Sequence, residues 1–398
     1  MAMFFGFTGT PIYAENQKKL STTVDVFGNE LHRYSVADGI RDKNVLGFDP
    51  TMVMTYKDRE LRRAVALFKA KAASEEDIAG NPKKEAIYFN YMDESKVPMA
   101  GHLLDDGSWL YGIEDYVPVS QYDCDKHRKA VVSDIKDNWM TLSRFGRFHA
   151  ILATSSIPEA IEYYDLFRNM FPELKVAALF DQSIDNNGRG IIKEDAIIKM
   201  LTDYNAQYNQ EFTLPTYAQY KKDLSLRLAH KRPYEAIENE PEKQLNLLIV
   251  VDQMLTGFDS KWINTLYLDK VLMNERLIQA FSRTNRLAGH DKPHGTIRYY
   301  RYSHTMAKNV EDAFALYAGE RPYGLFVEKL DKNLTKMNEI FSDIADLFKA
   351  AGIENFEHLP EEKSEKGKFA KLFRQFNTYL EAAYVRGFTW RKLQYLNV

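Results

Sequence analysis

The chain has 398 residues, 45% hydrophobic and 27% charged, an ordinary globular composition with room for two or three domains. A formal net charge of −3 excludes a globally basic nucleic-acid binder but leaves open a local basic groove, because the field that matters is the one at the site. The lone Cys124 excludes a disulfide framework and a cysteine-only metal site; with no apolar run near the ~20 residues that span a bilayer and no legible signal peptide, a cytoplasmic, non-membrane protein is expected.

Met3-Phe4-Phe5-Gly6-Phe7 predicts a buried strand, ended by Thr8-Gly9-Thr10-Pro11. A strand with no lead-in suggests a chain that opens in the middle of a domain. Residues 12–20 predict a short helix with Pro11 in its first turn, 24–34 a strand or loop, and Ser35 a cap on another short helix. Residues 48–56 resemble a strand and 57–73 a charged amphipathic helix. The stretch 79–122 is hard to read, with turn signals at Asn81-Pro82 and Val97-Pro98. Residues 125–142 look helical.

From Phe148 an α/β rhythm sets in. Residues 150–153 predict a strand, Ser155 or Ser156 an N-cap, 158–170 a helix and 175–180 the next strand. Two helical patterns, 193–208 and 216–229, interrupt it. An apolar run at 247–251 then breaks at Thr256-Gly257-Phe258-Asp259, and a second run at 265–269 precedes Gln279-Ala280-Phe281-Ser282-Arg283-Thr284-Asn285-Arg286, which reads as a helix. Residues 296–302 make a final strand. Alternating strands and helices imply a parallel sheet with helices on both faces. Beyond residue 305 only helical spacing remains, at 310–317, 325–351 and 366–384, with a charged link between the last two. The expected fold class is therefore α/β followed by an all-α domain.

The polar residues of the arginine segment are unusually placed. Gln279, Arg283 and Arg286 are spaced i, i+4, i+7 and would share one helix face, with Leu277, Ile278 and Phe281 opposite. Arginine suits phosphate, being permanently charged and offering a planar fork of donors. An isolated pair would be incidental on a solvated face; here it follows a buried strand pair. In Thr256-Gly257-Phe258-Asp259, a glycine after a buried strand lets backbone N–H groups approach a phosphate, although Gly and Asp also favour a plain turn. Thr8-Gly9-Thr10 is equally open: hydroxyls presented at a sheet edge, or a turn.

Taken in order, Phe-Gly-Phe-Thr-Gly-Thr-Pro, Ala-Ile-Leu-Ala-Thr-Ser-Ser, Thr-Gly-Phe-Asp and Gln-Ala-Phe-Ser-Arg-Thr-Asn-Arg are similar to helicase motifs III to VI of superfamily 2. Asp25-Val26-Phe27-Gly28, Leu31-His32-Arg33-Tyr34, Ile40-Arg41-Asp42-Lys43-Asn44-Val45-Leu46, the Leu255–Lys261 segment and Asn264-Thr265-Leu266-Tyr267 resemble the motor (R) subunit of type I restriction-modification enzymes. The resemblance implies two RecA-like domains clamping ATP with Mg²⁺, and translocation and distant cleavage of double-stranded DNA. It also implies partnership with methyltransferase (M) and specificity (S) subunits. Arg283 and Arg286 then correspond to arginine fingers, and Gln279, Gly257, Asp259, Thr8, Gly9 and Thr10 to nucleotide-coupled positions; Thr256 and Ser155 correspond to contacts with the DNA backbone. Residues 1–46 would be the end of the first RecA-like domain, 47–305 the second, and 306–398 the helical domain.

The departures are as informative. No Gly-x-x-x-x-Gly-Lys-Ser/Thr phosphate loop is present, and no acidic Mg²⁺ box precedes motif III. The chain alone is thus expected to bind neither ATP nor Mg²⁺ and to be inactive. Met92-Asp93-Glu94-Ser95 lies out of order and reads as a loop. Asp165 with Glu173-Leu174-Lys175 mimics a nuclease spacing but reads as two solvated charges, and His290 and His294 flank a Pro-containing loop rather than a metal site. Two other readings stand beside the motor: a docking module for the methyltransferase–specificity core, and a different superfamily 2 enzyme, such as a repair helicase or the type III motor.

Overall fold

Apolar strands buried along their whole length form the middle of the molecule. The computed structural model describes residues 6–17, 21–104, 106–180, 190–255, 257–289, 291–317 and 330–385. The first elements are α1 (Thr23–Phe27), α2 (Val36–Arg41), β1 (Phe48–Met52), α3 (Asp58–Ala70), α4 (Pro82–Met92) and the short hairpin β2 (His102–Leu103) and β3 (Trp109–Leu110). Then come α5 (Asp125–Leu142), β4 (His149–Thr154), α6 (Ile157–Met170), β5 (Val176–Leu179), α7 (Gly190–Tyr208), α8 (Tyr217–Ala229) and β6 (Leu247–Val250). The chain continues through β7 (Ile263–Asp269), α9 (Asn274–Phe281), β8 (Gly295–Tyr299), α10 (Ser303–Tyr317), α11 (Leu330–Ala350) and α12 (Lys363–Val385).

Six strands make one parallel sheet in the order β1-β8-β7-β4-β6-β5. Every residue of β4, β5, β6 and β7 is buried, which requires helices on both faces, as the α/β rhythm predicts. Helix α6 follows β4 and starts where Ser156 accepts a hydrogen bond from the Glu159 N–H, with a proline in its first turn. Two compact units result, Met1–Leu325 and Phe326–Val398. Helix α10 falls in the first unit, whereas the sequence reading opens the helical part at 306: Phe314 of α10 closes an aromatic triangle with Phe48 of β1 and Phe281 of α9. In the second unit, α11 and α12 pack around Ile340, Ile344, Phe348 and Phe376, the helical architecture expected there.

Local departures have local causes. Residues 3–5 of the expected first strand lie outside the described residues; Gly6 and Phe7 are not strand, and Phe7 is 97% exposed. Of the helix expected over 12–20, a single 3₁₀ turn at Ala14–Asn16 forms, with 18–20 outside the described residues. The strand or loop expected over 24–34 begins instead as α1, because Thr22 and Asp25 cap it reciprocally; Gly28, at φ +82°, ends it. Asn81-Pro82 starts a helix rather than a turn, since the Asn81 side chain accepts from the Lys84 N–H. Asp93 takes the Ser95 N–H and hydroxyl in a local turn, as expected of a loop. Asp165 pairs with Lys199, and Glu173 is exposed. His294 is buried beside Asp49, whereas His290 lies outside the described residues.

Where β4, β7 and β8 end, a charged network is sealed inside. Asp269, fully buried, accepts hydrogen bonds from Arg301 Nε at 3.2 Å and Nη2 at 3.0 Å and from the Tyr163 hydroxyl at 2.7 Å, and meets His127 Nε2 at 2.7 Å. The other His127 nitrogen meets the Thr55 hydroxyl at 2.7 Å, and Arg301 reaches Glu159 at 3.2 and 3.3 Å. Burial alone would raise the Asp269 carboxyl, but the His127 and Arg301 contacts outweigh it and hold it below its ordinary value. For Glu159 burial wins, and its pKa is raised. Arg301→Leu would take the guanidinium from two buried carboxyls, leaving Asp269 only its His127 and Tyr163 contacts, and is expected to cost about 3–5 kcal/mol, read as a lowered urea midpoint.

At the opposite strand ends, His149 and His230 touch Nε2 to Nε2 at 2.7 Å, and His230 stacks on Trp262 at 4.1 Å. Burial, then the neighbouring imidazole, pushes His149 down to about 3; burial, then Lys261, takes His230 to about 4. Both are neutral in the fold, while an unfolded histidine gains a proton below about pH 6.5. Their contribution is complete above that pH and is lost as the pH falls toward 4. The unfolding midpoint should therefore drop steeply between pH 6.5 and 4.5, and a His149→Gln, His230→Gln pair should flatten that limb.

Candidate functional site

The segment that carries the two arginines is a helix for only part of its length. Helix α9 presents Leu277, Ile278, Ala280 and Phe281 inward. It stops at Phe281, where the Ser282 hydroxyl bonds back to the Ile278 carbonyl at 2.7 Å and the Thr284 N–H and hydroxyl both take the Phe281 carbonyl at 2.9 Å. Gly295 explains the sharp turn: a Cβ there would stand 2.1 Å from the Thr284 hydroxyl, so the chain passes Thr284 only because residue 295 has no side chain. The expectation of a single helical face holding Gln279, Arg283 and Arg286 is thus corrected. Gln279 is on the helix, and both arginines lie in the turn beyond it.

The turn places the same side chains together by another route. Arg283 Nε donates to the Gln279 carbonyl at 3.1 Å, and its Nη1 donates to the Phe258 carbonyl. Arg286 Nε donates to Asp259 at 2.7 Å. Gln279 reaches the other way, its amide donating to the Thr10 hydroxyl at 2.9 Å. Residues 10, 258, 259, 279, 283 and 286 therefore form one connected set. Thr8 turns its hydroxyl onto the Thr10 N–H at 3.2 Å, Gly9 has open space around it, and Gly257 adopts φ +72°, a conformation that suits glycine. Thr256 lies outside the described residues.

Within this set the arginines differ. Arg283 is half-buried, and burial, then the Arg286 charge, lowers its pKa from the usual arginine value. The Arg286 side chain is 43% exposed, and the Asp259 carboxylate it meets is more exposed still. A salt bridge in that setting is weak and exchangeable. Arg286 can leave Asp259 for a stronger anion at little cost, whereas Arg283 is fixed by two backbone carbonyls.

Ser155 stands apart. It follows the last residue of β4, at the strand end opposite the one from which β8 emerges after the arginine turn. Its hydroxyl donates to the Asp269 carbonyl and receives Arg301 Nη1, each at 3.1 Å, so it is committed to the buried network although the residue is exposed. Sequence reasoning missed that network altogether. The available signal was a charged residue, Asp269, closing a strand whose preceding residues, Leu266-Tyr267-Leu268, are apolar, with Glu159 and His127 on helices that face it. Among the described residues, no group of three or more His, Cys, Asp or Glu side chains is arranged to hold a metal ion. No described helix is long and apolar enough to cross a membrane.

Residues 146–302 match the family model for type I restriction enzyme subunit R domain 3, and residues 1–79 match that for SWI2/SNF2 ATPase. The endonuclease subunit of the type I restriction enzyme SauMRSORF196P from Staphylococcus aureus (strain MRSA252) is 32% identical over 326 residues, which is 80% of this chain and 29% of that protein. The HindI endonuclease subunit from Haemophilus influenzae is 26% identical over 349 residues, 87% of this chain and 27% of its own length. The chain thus spans under a third of the length of these relatives. Among solved structures, the type ISP restriction-modification enzyme LlaBIII bound to DNA aligns over 95% of this chain and 20% of its own, with a TM-score of 0.33 and 12% identity. With its α/β sheet, the subunit R domain over 146–302 and relatives of one kind along most of its length, the chain belongs to the family of type I restriction enzyme endonuclease (R) subunits.

Proposed function

We propose that this chain supplies the arginine half of an ATP site in the motor of a type I restriction enzyme, an ATP-driven double-stranded DNA translocase and endonuclease. In the intact cytoplasmic enzyme, ATP and Mg²⁺ would be held by a phosphate loop and an acidic box outside residues 1–398, and M and S subunits would bring the motor to its DNA. The observation that carries this reading is the connected set around Arg283 and Arg286, which ties the turn after α9 to Phe258, Asp259 and Thr10. Arg283 is the fixed donor and Arg286 the movable one. As the bond to the γ-phosphate breaks, charge accumulates on the departing oxygens, and a guanidinium held there stabilises it. Asp259 parks Arg286 until a phosphate competes for it, while Gln279 and Thr10 register the turn against the segment that leads into the sheet. Thr256 and Ser155 remain candidates for DNA-backbone contact, although the Ser155 hydroxyl is engaged by Asp269 and Arg301 and its N–H by Glu159.

A second reading is favoured by the second unit. Its two helices leave a groove of about 560 Å³ lined by Phe341, Phe348, Phe356, Phe369, Phe373 and Phe376, an apolar surface suited to docking on the methyltransferase–specificity core. Phe373→Glu should then weaken capture of that core at least tenfold without lowering the melting temperature; undiminished capture would remove this reading.

For the motor reading, Arg283→Ala and Arg286→Ala in the intact subunit should each reduce DNA-stimulated ATP turnover by about 10³-fold or more. Arg286→Ala should leave the urea midpoint unchanged, because that side chain is exposed. Pure residues 1–398 serve as the control and should hydrolyse no ATP. Near-normal turnover in either mutant, or hydrolysis by the control, refutes the assignment.

A further inference from the structure

Six residues beyond Arg286, Lys292 is sealed from solvent, with an exposure of 0%. A buried ammonium is costly unless its protons are satisfied. Here Nζ donates to the Lys261 carbonyl at 2.9 Å and the Ile263 carbonyl at 2.6 Å. Those acceptors are unpaired for a topological reason. Strand β8 joins β7 only from Thr265 onward, so on that side the mouth of β7 lies ahead of the ladder, although Ile263 is registered with His149 of β4 on the other side. Lys292 takes the place of the missing strand. It thereby clamps the segment between the arginine turn and β8 onto the segment that runs from Asp259 into β7.

We infer that Lys292 is the positioning residue of the arginine turn, holding Arg283 and Arg286 at a fixed offset from the Phe258–Asp259 carbonyl and carboxylate they bind. This inference rests on the arginine-finger reading and assigns the device that keeps the fingers in register. Burial, then the Arg286 charge, partly offset by Asp259, pushes the Lys292 amine down to about 7, so it feels the finger directly as well as through the backbone. Three further contacts hold the two ends of the loop, Leu46 N–H to the Asn285 carbonyl at 2.7 Å, Arg144 to the Asp291 carbonyl at 3.3 Å and Arg147 to the Asp291 carboxylate; none is a hydrogen bond to the segment from Asp259 to Ile263, which Lys292 supplies. A lysine kept only to satisfy two carbonyls would matter for folding alone. A clamp that sets finger geometry would matter for turnover, since misplacement of a catalytic group by ~1 Å costs on the order of 10²-fold.

The test uses the intact subunit with Lys292→Met, Lys292→Gln and Lys292→Arg, and Arg286→Ala as the reference. The expected result is a kcat for ATP lowered tenfold or more in Lys292→Met at nearly unchanged KM, measured well below its melting temperature. Lys292→Arg, which keeps the charge and the donors, should restore kcat to within a few-fold. If Lys292→Met does not fold, the same comparison between Lys292→Gln and Lys292→Arg decides the matter, because glutamine offers donors without charge or length. Wild-type kcat in the folded Met or Gln variant, with Arg286→Ala inactive, overturns the Lys292 role alone. Wild-type turnover in Arg286→Ala overturns the finger reading instead.

Discussion

The contact on which the arginine-bearing end of the sheet depends is the close passage of Gly295 over Thr284. Any side chain at residue 295 would collide with the Thr284 hydroxyl, so the turn after α9 packs tightly against the start of β8. That packing accommodates a chain in which α9 ends at Phe281 and the Ser282 and Thr284 hydroxyls bond back to the helix carbonyls. A continued helix would carry the arginines about 1.5 Å per residue further along its axis. The turn instead brings Arg283 to the Phe258 carbonyl and Arg286 to Asp259.

The sheet separates two kinds of polar chemistry. At the strand ends that carry Asp269, Ser155 and Arg301, charges are buried, mutually bonded and closed to solvent. Such a network is costly to assemble but, once complete, specifies one arrangement of β4, β7, β8 and their helices. At the other end Lys292 is buried, but one ion pair remains open to solvent: Arg286 and Asp259 are both substantially exposed, and their bond is weak enough to exchange. A rigid end and an exchangeable end on one sheet would suit the proposed role, in which the part keeps its shape while an anion comes and goes.

The segment ahead of the sheet is bound into this arrangement rather than merely preceding it. Thr10 receives Gln279, Asn16 bonds to Glu275 and Tyr317, and Leu46 donates to Asn285. These contacts fall on α9, α10 and the arginine turn. A segment that moved with a neighbouring domain would pull on the elements that carry the arginines, which is a physical route for coupling between domains.

How much of this was legible follows from the range over which each feature is determined. Buried strands such as Leu247–Val250 and helices such as Asp125–Leu142 announce themselves through local composition and periodicity, so element type, order and the parallel α/β class could be read directly. The pairing of Gln279 with Arg283 and Arg286 was also visible as residue types in a spacing. The end of α9 was not, because the turn that follows packs against Gly295, eleven positions beyond Thr284 and across a loop. Nor were Asp269 and Arg301, His127 and Glu159, or Lys292 and its two carbonyls, since each depends on partners brought together only by strand order and register. Local sequence determined which elements form and which side chains are suited to phosphate; tertiary packing alone decided which charges are buried, which are exposed, and what each one faces.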